Sequence, residues 1–167
     1  LAADVSADAV VIDREFRCFE ERRFLLASGR KGKALTKLGM SGETGMIGYV
    51  TLGTNDFEKA KAFYDAVLSE AGGRRVMGFE RMQLWGSAPG SAMLAICQPY
   101  DGRAASVGNG VMPAINAASK EIVDKTYAKA LESGATDEGP PGQRGDTFYG
   151  AYFRDLDGNK LCIFYPG

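Results

Sequence analysis

The sequence predicts an α+β fold of two βαβββ modules behind an N-terminal extension, and three observations carry that prediction. The first is an internal repeat. Asp56–Leu68 lies over Ser119–Leu131 at an offset of 63 residues, matching Glu58 to Glu121, Tyr64 to Tyr127 and Leu68 to Leu131. A repeat of that length reads as two copies of one supersecondary unit. The second is the order within each copy, a short apolar strand followed by a capped amphipathic helix. The third is a pair of hairpin signals, Pro89-Gly90 and Asp155-Leu156-Asp157-Gly158.

Residues 1–45 differ from the rest. Charge there is dense and mixed, and Phe16, Phe19, Arg23 and Leu26 recur at helical spacing, so a short amphipathic helix is expected near 13–28. Gly29, Gly32, Gly39, Gly42 and Gly45 then punctuate a linker. Met46 opens the main fold, 46–167, with modules at about 46–100 and 108–167.

In the first module, Val50 and Leu52 alternate with Tyr49 and Thr51 in a strand over 47–52. Asn55 or Asp56 caps a helix to about Ala71, with Phe57, Ala60, Phe63, Tyr64, Val67 and Leu68 as its apolar stripe. Gly72-Gly73 ends it. Strands follow near 75–79, 81–86 and 91–98. A Gly-rich connector covers 99–110. The second module repeats the order: a strand over 111–116, then a helix capped by Ser119 and running to about Glu132. In that helix Ile122, Val123, Thr126, Tyr127 and Leu131 face inward. A Gly- and Pro-rich loop is expected over 137–145, then strands at 147–154 and 159–165.

Composition excludes several function classes. The 167 residues carry a net charge of −1, so no basic surface is expected to hold a nucleic acid. No apolar run reaches the roughly 18–20 residues that span a bilayer, and charges interrupt every N-terminal apolar stretch that a secretory leader would need. Cys18, Cys97 and Cys162 form no CxxC pair, which points to reduced thiols in a cytoplasmic protein. The chain has no histidine. Ser-His-Asp and Cys-His catalysis are therefore impossible, and Cys162 lacks a base to activate it.

The strand preceding Asn55-Asp56, the Ala62-Phe63-Tyr64 run, Gly108-Asn109-Gly110, and Tyr152–Lys160 with its Asp155-Leu156-Asp157-Gly158 core resemble the vicinal oxygen chelate superfamily. That superfamily includes glyoxalase I, bleomycin-resistance proteins and extradiol dioxygenases. The resemblance covers 46–167, with Leu156 where the usual motif has proline. It implies a glyoxalase-like open barrel whose concave cleft binds a small organic molecule. It also implies, for many members, a divalent metal held by one side chain from the first and last strand of each module.

Carried over position by position, those four metal positions read Tyr49, Leu94, Met112 and Cys162. Phenol, alkyl, thioether and a lone thiol do not supply the imidazole and carboxylate such a metal needs, so neither metal nor cofactor is expected. Strand alternation puts Tyr49, Thr51, Leu94, Ile96, Met112, Asn116, Cys162 and Phe164 on the concave face, and Val50, Leu52, Ile115, Leu161 and Ile163 against the helices. Trp85 is expected as an aromatic wall and Tyr149 as a phenolic donor. The expected ligand set is Tyr49, Thr51, Trp85, Leu94, Met112, Asn116, Tyr149, Cys162 and Phe164. Arg103 and Arg144 in the Gly-rich loops are weaker candidates for an anionic group.

The leading expectation is a metal-free protein that binds a small apolar or aromatic molecule, with no assigned catalytic residue. The alternatives are a lyase or isomerase of lactoylglutathione-lyase type and a structural or regulatory partner module. A homodimer is expected from the resemblance.

Overall fold

The computed structural model describes residues 46–167; the helix expected near 13–28, the glycine linker and Cys18 lie outside the described residues. In the first module, β1 (Tyr49–Gly53) runs into Asp56, whose extended backbone and Oδ1 accepting from the Lys59 N–H at 3.1 Å start helix α1 (Phe57–Glu70). Ala60, Phe63, Tyr64, Val67 and Leu68 recur every three or four residues on its buried face. The helix ends where the Gly73 N–H reaches back to the Leu68 carbonyl, with Gly72 at φ 77°. Strands β2 (Arg74–Gly78), β3 (Met82–Gly86) and β4 (Met93–Cys97) complete a sheet ordered β1-β4-β3-β2, in which only β1 and β4 are parallel.

The second module repeats this plan. It consists of β5 (Ala114–Asn116), α2 (Lys120–Glu132), β6 (Thr136–Gln143), β7 (Tyr149–Arg154) and β8 (Lys160–Tyr165), in a sheet ordered β5-β8-β7-β6. The repeat extends to single hydrogen bonds. Thr54 N–H donates to the Cys97 carbonyl, and Ala117 N–H, at the matching position, donates to the Phe164 carbonyl.

The register corrects one set of sequence expectations. Val50 pairs with Leu94, which pairs with Trp85; Leu52 pairs with Ile96, which pairs with Gln83. Directly paired residues share a face, so Leu94 and Ile96 lie with Val50 and Leu52 on the helix-packed side, not on the concave face. The concave face carries Tyr49, Thr51, Met93, Ala95 and Cys97 instead. Aligning the modules through Gly90 and Gly158 slipped β4 by one residue, and one residue is enough to invert a strand. By the matched bonds above, Ala95 occupies the place in the first module that Cys162 holds in the second.

Three further differences have local causes. The stretch expected as a loop over 137–145 is mostly strand β6, with Pro140 and Pro141 between the paired Gly139 and Gly142. β6 is the sheet's outer edge and is irregular at that point, so the two prolines break no interior ladder. β5 is only three residues long, shorter than the expected 111–116. Leu131 is 36% exposed rather than inward-facing, because α2 buries the stripe Val123, Thr126 and Ala130 and Leu131 lies one position round from it.

A single hydrophobic core spans both modules. It joins Phe63, Tyr64, Trp85 and Ile96 of the first to Val123, Phe153, Leu161 and Ile163 of the second. A polar latch accompanies it. Tyr64 Oη donates to Asp155 Oδ2 at 2.6 Å in the interior. Asn159 Nδ2 donates to the Gly53 carbonyl at 2.9 Å, and Asn55 donates to Asp157 Oδ1 through both its N–H and its side-chain amide. The Asp155–Asn159 turn closes the β7–β8 hairpin and also docks the second module onto the β1–α1 corner of the first.

Candidate functional site

A cavity of about 560 Å³ opens where α1 ends. Ile47, Val50 and Leu94 line one side, Leu68 and Ala71 the helix side, and Trp85 with the β3–β4 loop another; the Val111–Asn116 stretch of the second module completes it. Among the described residues no aspartate, glutamate, lysine or arginine lines it, and the polar residues in its lining are Ser87, Ser91 and Asn116. Ser91 Oγ is already committed, donating to the Ala88 carbonyl at 2.7 Å and accepting from its N–H.

Trp85 is 1% exposed and fixed on several sides. Its Nε1 donates to Asp65 Oδ1 at 2.9 Å, and its ring lies 5.6 Å from that of Tyr64. Asp65 in turn accepts two bonds from the Arg75 guanidinium, at 2.9 and 2.6 Å. Desolvation pushes the Asp65 carboxyl up, but the Arg75 and Trp85 hydrogen bonds outweigh it and hold it below its ordinary value. The indole's single donor is therefore spent outside the cavity, leaving it as an apolar wall.

Of the nine residues expected to contact ligand, Trp85, Leu94, Met112 and Asn116 line this cavity; Tyr49, Thr51, Tyr149, Cys162 and Phe164 do not. Tyr49 is 48% exposed and lies on the opposite face of the first sheet from Val50. Phe164 stacks on Phe148 at 4.9 Å, over Gly150, where any Cβ would collide with the Phe148 ring. Cys162 is buried, which pushes its thiol up to about 11 against the opposing charge of Lys160.

Tyr149 turns toward α2 and donates to Asp124 Oδ1 at 2.8 Å, so its hydroxyl already has an acceptor. That hydrogen bond and partial desolvation raise its pKa. Arg103 and Arg144 are likewise engaged, with Asp101 and the Pro140 carbonyl respectively.

The sequence expectation put Val50 and Ile115 against the helices and Leu68 in the apolar stripe of α1, and gave none of these, nor Ala71, a place in a ligand site. The available signal was the Gly72-Gly73 helix stop, which ends α1 beside Val50, Leu94 and Trp85.

The metal positions implied by the resemblance carry Tyr49, Met112, Cys162 and, by register, Ala95. These are one phenol, one thioether, one thiol and a methyl, a donor set that does not suit nickel, zinc or iron(II). Among the described residues no three histidine, cysteine, aspartate or glutamate side chains converge on a common point.

A sequence profile of the Glyoxalase/Bleomycin resistance protein/Dioxygenase superfamily matches residues 46–163. The chain belongs to this superfamily. It is similar to a glyoxalase/bleomycin resistance protein from Albidiferax ferrireducens T118, at 35% identity and a TM-score of 0.69, over 74% of this chain and all of that one. A superfamily enzyme from Burkholderia phytofirmans PsJN matches at 20% identity and a TM-score of 0.58, over 72% of this chain and 98% of that one. A lactoylglutathione lyase from Agrobacterium tumefaciens matches at 20% identity and a TM-score of 0.56, over 74% and 96%. The last two likenesses speak to fold alone. No curated protein matches the sequence.

Among the described residues no helix is long and apolar enough to cross a membrane.

Proposed function

We propose that this superfamily member binds a small apolar or aromatic molecule without transforming it, and that the cavity at the end of α1 is where it does so. The carrying observation is a cavity of about 560 Å³ walled by Trp85, Leu94 and Met112, with no ionisable side chain among the described residues that line it. That volume falls within the range of small-molecule sites, which are mostly apolar with a few placed polar groups. The donors that lyase chemistry on a hard cation requires are missing from the corresponding strand positions.

A test follows from Ala71, which lines the cavity from the α1 C-cap and is not part of the fully buried core. Wild-type protein should bind 4-methylbiphenyl saturably at one molecule per chain, and Ala71→Phe, which fills the cavity, should weaken that binding at least about tenfold. Unaltered binding by Ala71→Phe would move the site elsewhere. Absence of saturable binding by the wild type would end this reading.

We also read the protein as a cytoplasmic homodimer. The free thiols of Cys97 and Cys162 fit a reducing compartment. The exposed apolar Tyr49, Val76 and Phe79 offer contact surface. Sedimentation velocity should show twice the monomer mass; a monomer at high protein concentration would exclude the dimer.

A further inference from the structure

We infer that Asp65, which lies outside the cavity lining, is the positioning residue of the site: by capturing the Trp85 indole N–H it holds the aromatic wall in place and sets that wall's distance from α1. This inference rests on the cavity being the binding site, and goes on to name the residue that shapes it.

Trp85 needs such a restraint more than an ordinary core aromatic does. Its row on the sheet, Val50–Leu94–Trp85, lines the cavity. A ring that borders a cavity lacks packing atoms on that side, and contacts such as the one with Tyr64 do not by themselves stop it turning into the space. A hydrogen bond is directional where apolar packing is not. Trp85 Nε1 meets Asp65 Oδ1 at 2.9 Å, and the acceptor is itself held: Arg75 donates from Nε to Oδ1 at 2.9 Å and from Nη2 to Oδ2 at 2.6 Å. Arg75 and Trp85 are direct partners across β2 and β3. Donor, acceptor and clamp therefore form one closed unit that joins α1 to the sheet.

The Asp65 and Arg75 side chains are each 44% exposed, so the ion pair adds little stability of its own. Its contribution is geometric, because a two-pronged guanidinium fixes the orientation of the carboxylate. Leu68 and Ala71, which line the cavity from α1, follow Asp65 by about one and two helical turns. Tying Asp65 to Trp85 therefore fixes both sides of the cavity.

The second module supplies a contrast. Phe153 pairs with Leu161 as Trp85 pairs with Leu94, so Phe153 stands at the place of Trp85. The 63-residue offset puts Ala128 at the place of Asp65. Where the aromatic ring has no N–H, the helix carries no acceptor. Donor and acceptor occur together in the module whose helix end walls the cavity, and both are missing from the other.

The test compares two Asp65 substitutions by two readouts. Asp65→Leu removes the acceptor, whereas Asp65→Asn keeps a carbonyl oxygen for the indole. Trp85 is the only tryptophan of the chain, so the indole band in near-ultraviolet circular dichroism reports how firmly this ring is held. We expect Asp65→Leu to flatten that band and to weaken 4-methylbiphenyl binding about tenfold, the scale of one hydrogen bond to a charged acceptor. Asp65→Asn should restore most of both. In a Trp85→Phe background, followed by calorimetry, Asp65→Leu should change binding by less than about twofold. Equal losses in the two backgrounds, or an asparagine variant as weak as the leucine one, would overturn the positioning role, and so would an Asp65→Leu protein with unchanged band and binding. Should Asp65→Leu fail to fold, Arg75→Met takes its place, since it keeps the acceptor but loosens it; an unchanged band and unchanged binding there would overturn the clamp. A wild type that does not bind the probe means that the binding reading itself has failed.

Discussion

Tyr64 combines three jobs in one side chain. Its ring packs edge-on against Phe63 and tilts against Trp85, while its hydroxyl reaches Asp155 in the other module. Burial first, and the Asp155 charge second, hold its hydroxyl well above the ordinary tyrosine value of about 10. A group whose folded pKa is raised contributes stability that is fully present below the unfolded pKa and is lost as pH rises through the folded one. Tyr64→Phe should therefore cost about 2 kcal/mol near neutrality, the scale of a buried hydrogen bond to a charged partner. The difference between wild type and variant should shrink as pH climbs above about 10, where the unfolded wild type gains by ionising. Urea titrations at neutral and alkaline pH would show it, and a gap that stays constant would refute the linkage. The sequence showed Tyr64 through its repeat partner Tyr127, but not its acceptor, because 91 residues separate it from Asp155.

Among the elements, both helices were legible to within about a residue. Asp56 and Ser119 are capping residues, and the apolar spacing behind them fits only one period. Strand existence was legible too, whereas facing was not. The β3–β4 connection, Ser87–Ala92, is longer than the turn between β7 and β8, so matching the two turn glycines misplaced β4 by one position. β6 was hidden for a different reason. Strand propensity counts Gly and Pro against a sheet, yet an outer edge with irregular pairing tolerates both. The cavity escaped notice because it depends on where α1 stops relative to the sheet, a tertiary relation. Trp85, Leu94, Met112 and Asn116, named from the sequence as ligand candidates, are among the residues that line it, although Leu94 does so from the helix-packed side and not from the concave face expected of it.

For the whole molecule, the decisive point is that one core and one polar latch cross the module boundary. Neither module buries its apolar face alone, so residues 46–167 should unfold in one step. Calorimetry should give equal calorimetric and van't Hoff enthalpies for that region. Asn159→Ala, which removes the bonds to Gly53 and Asp155, should lower the midpoint without splitting the transition. Two resolved transitions within 46–167 would mean that the modules are separable.

The prolines of β6 have a consequence beyond that strand. The second sheet ends at β6, and Pro140 and Pro141 lack the N–H groups that an incoming strand would need as donors. A foreign backbone laid along this rim finds a donor missing from the row at this irregular stretch, which hinders pairing there. The margin of the sheet is thereby blunted against runaway polymerisation, since strand addition on that side meets an interrupted row of donors.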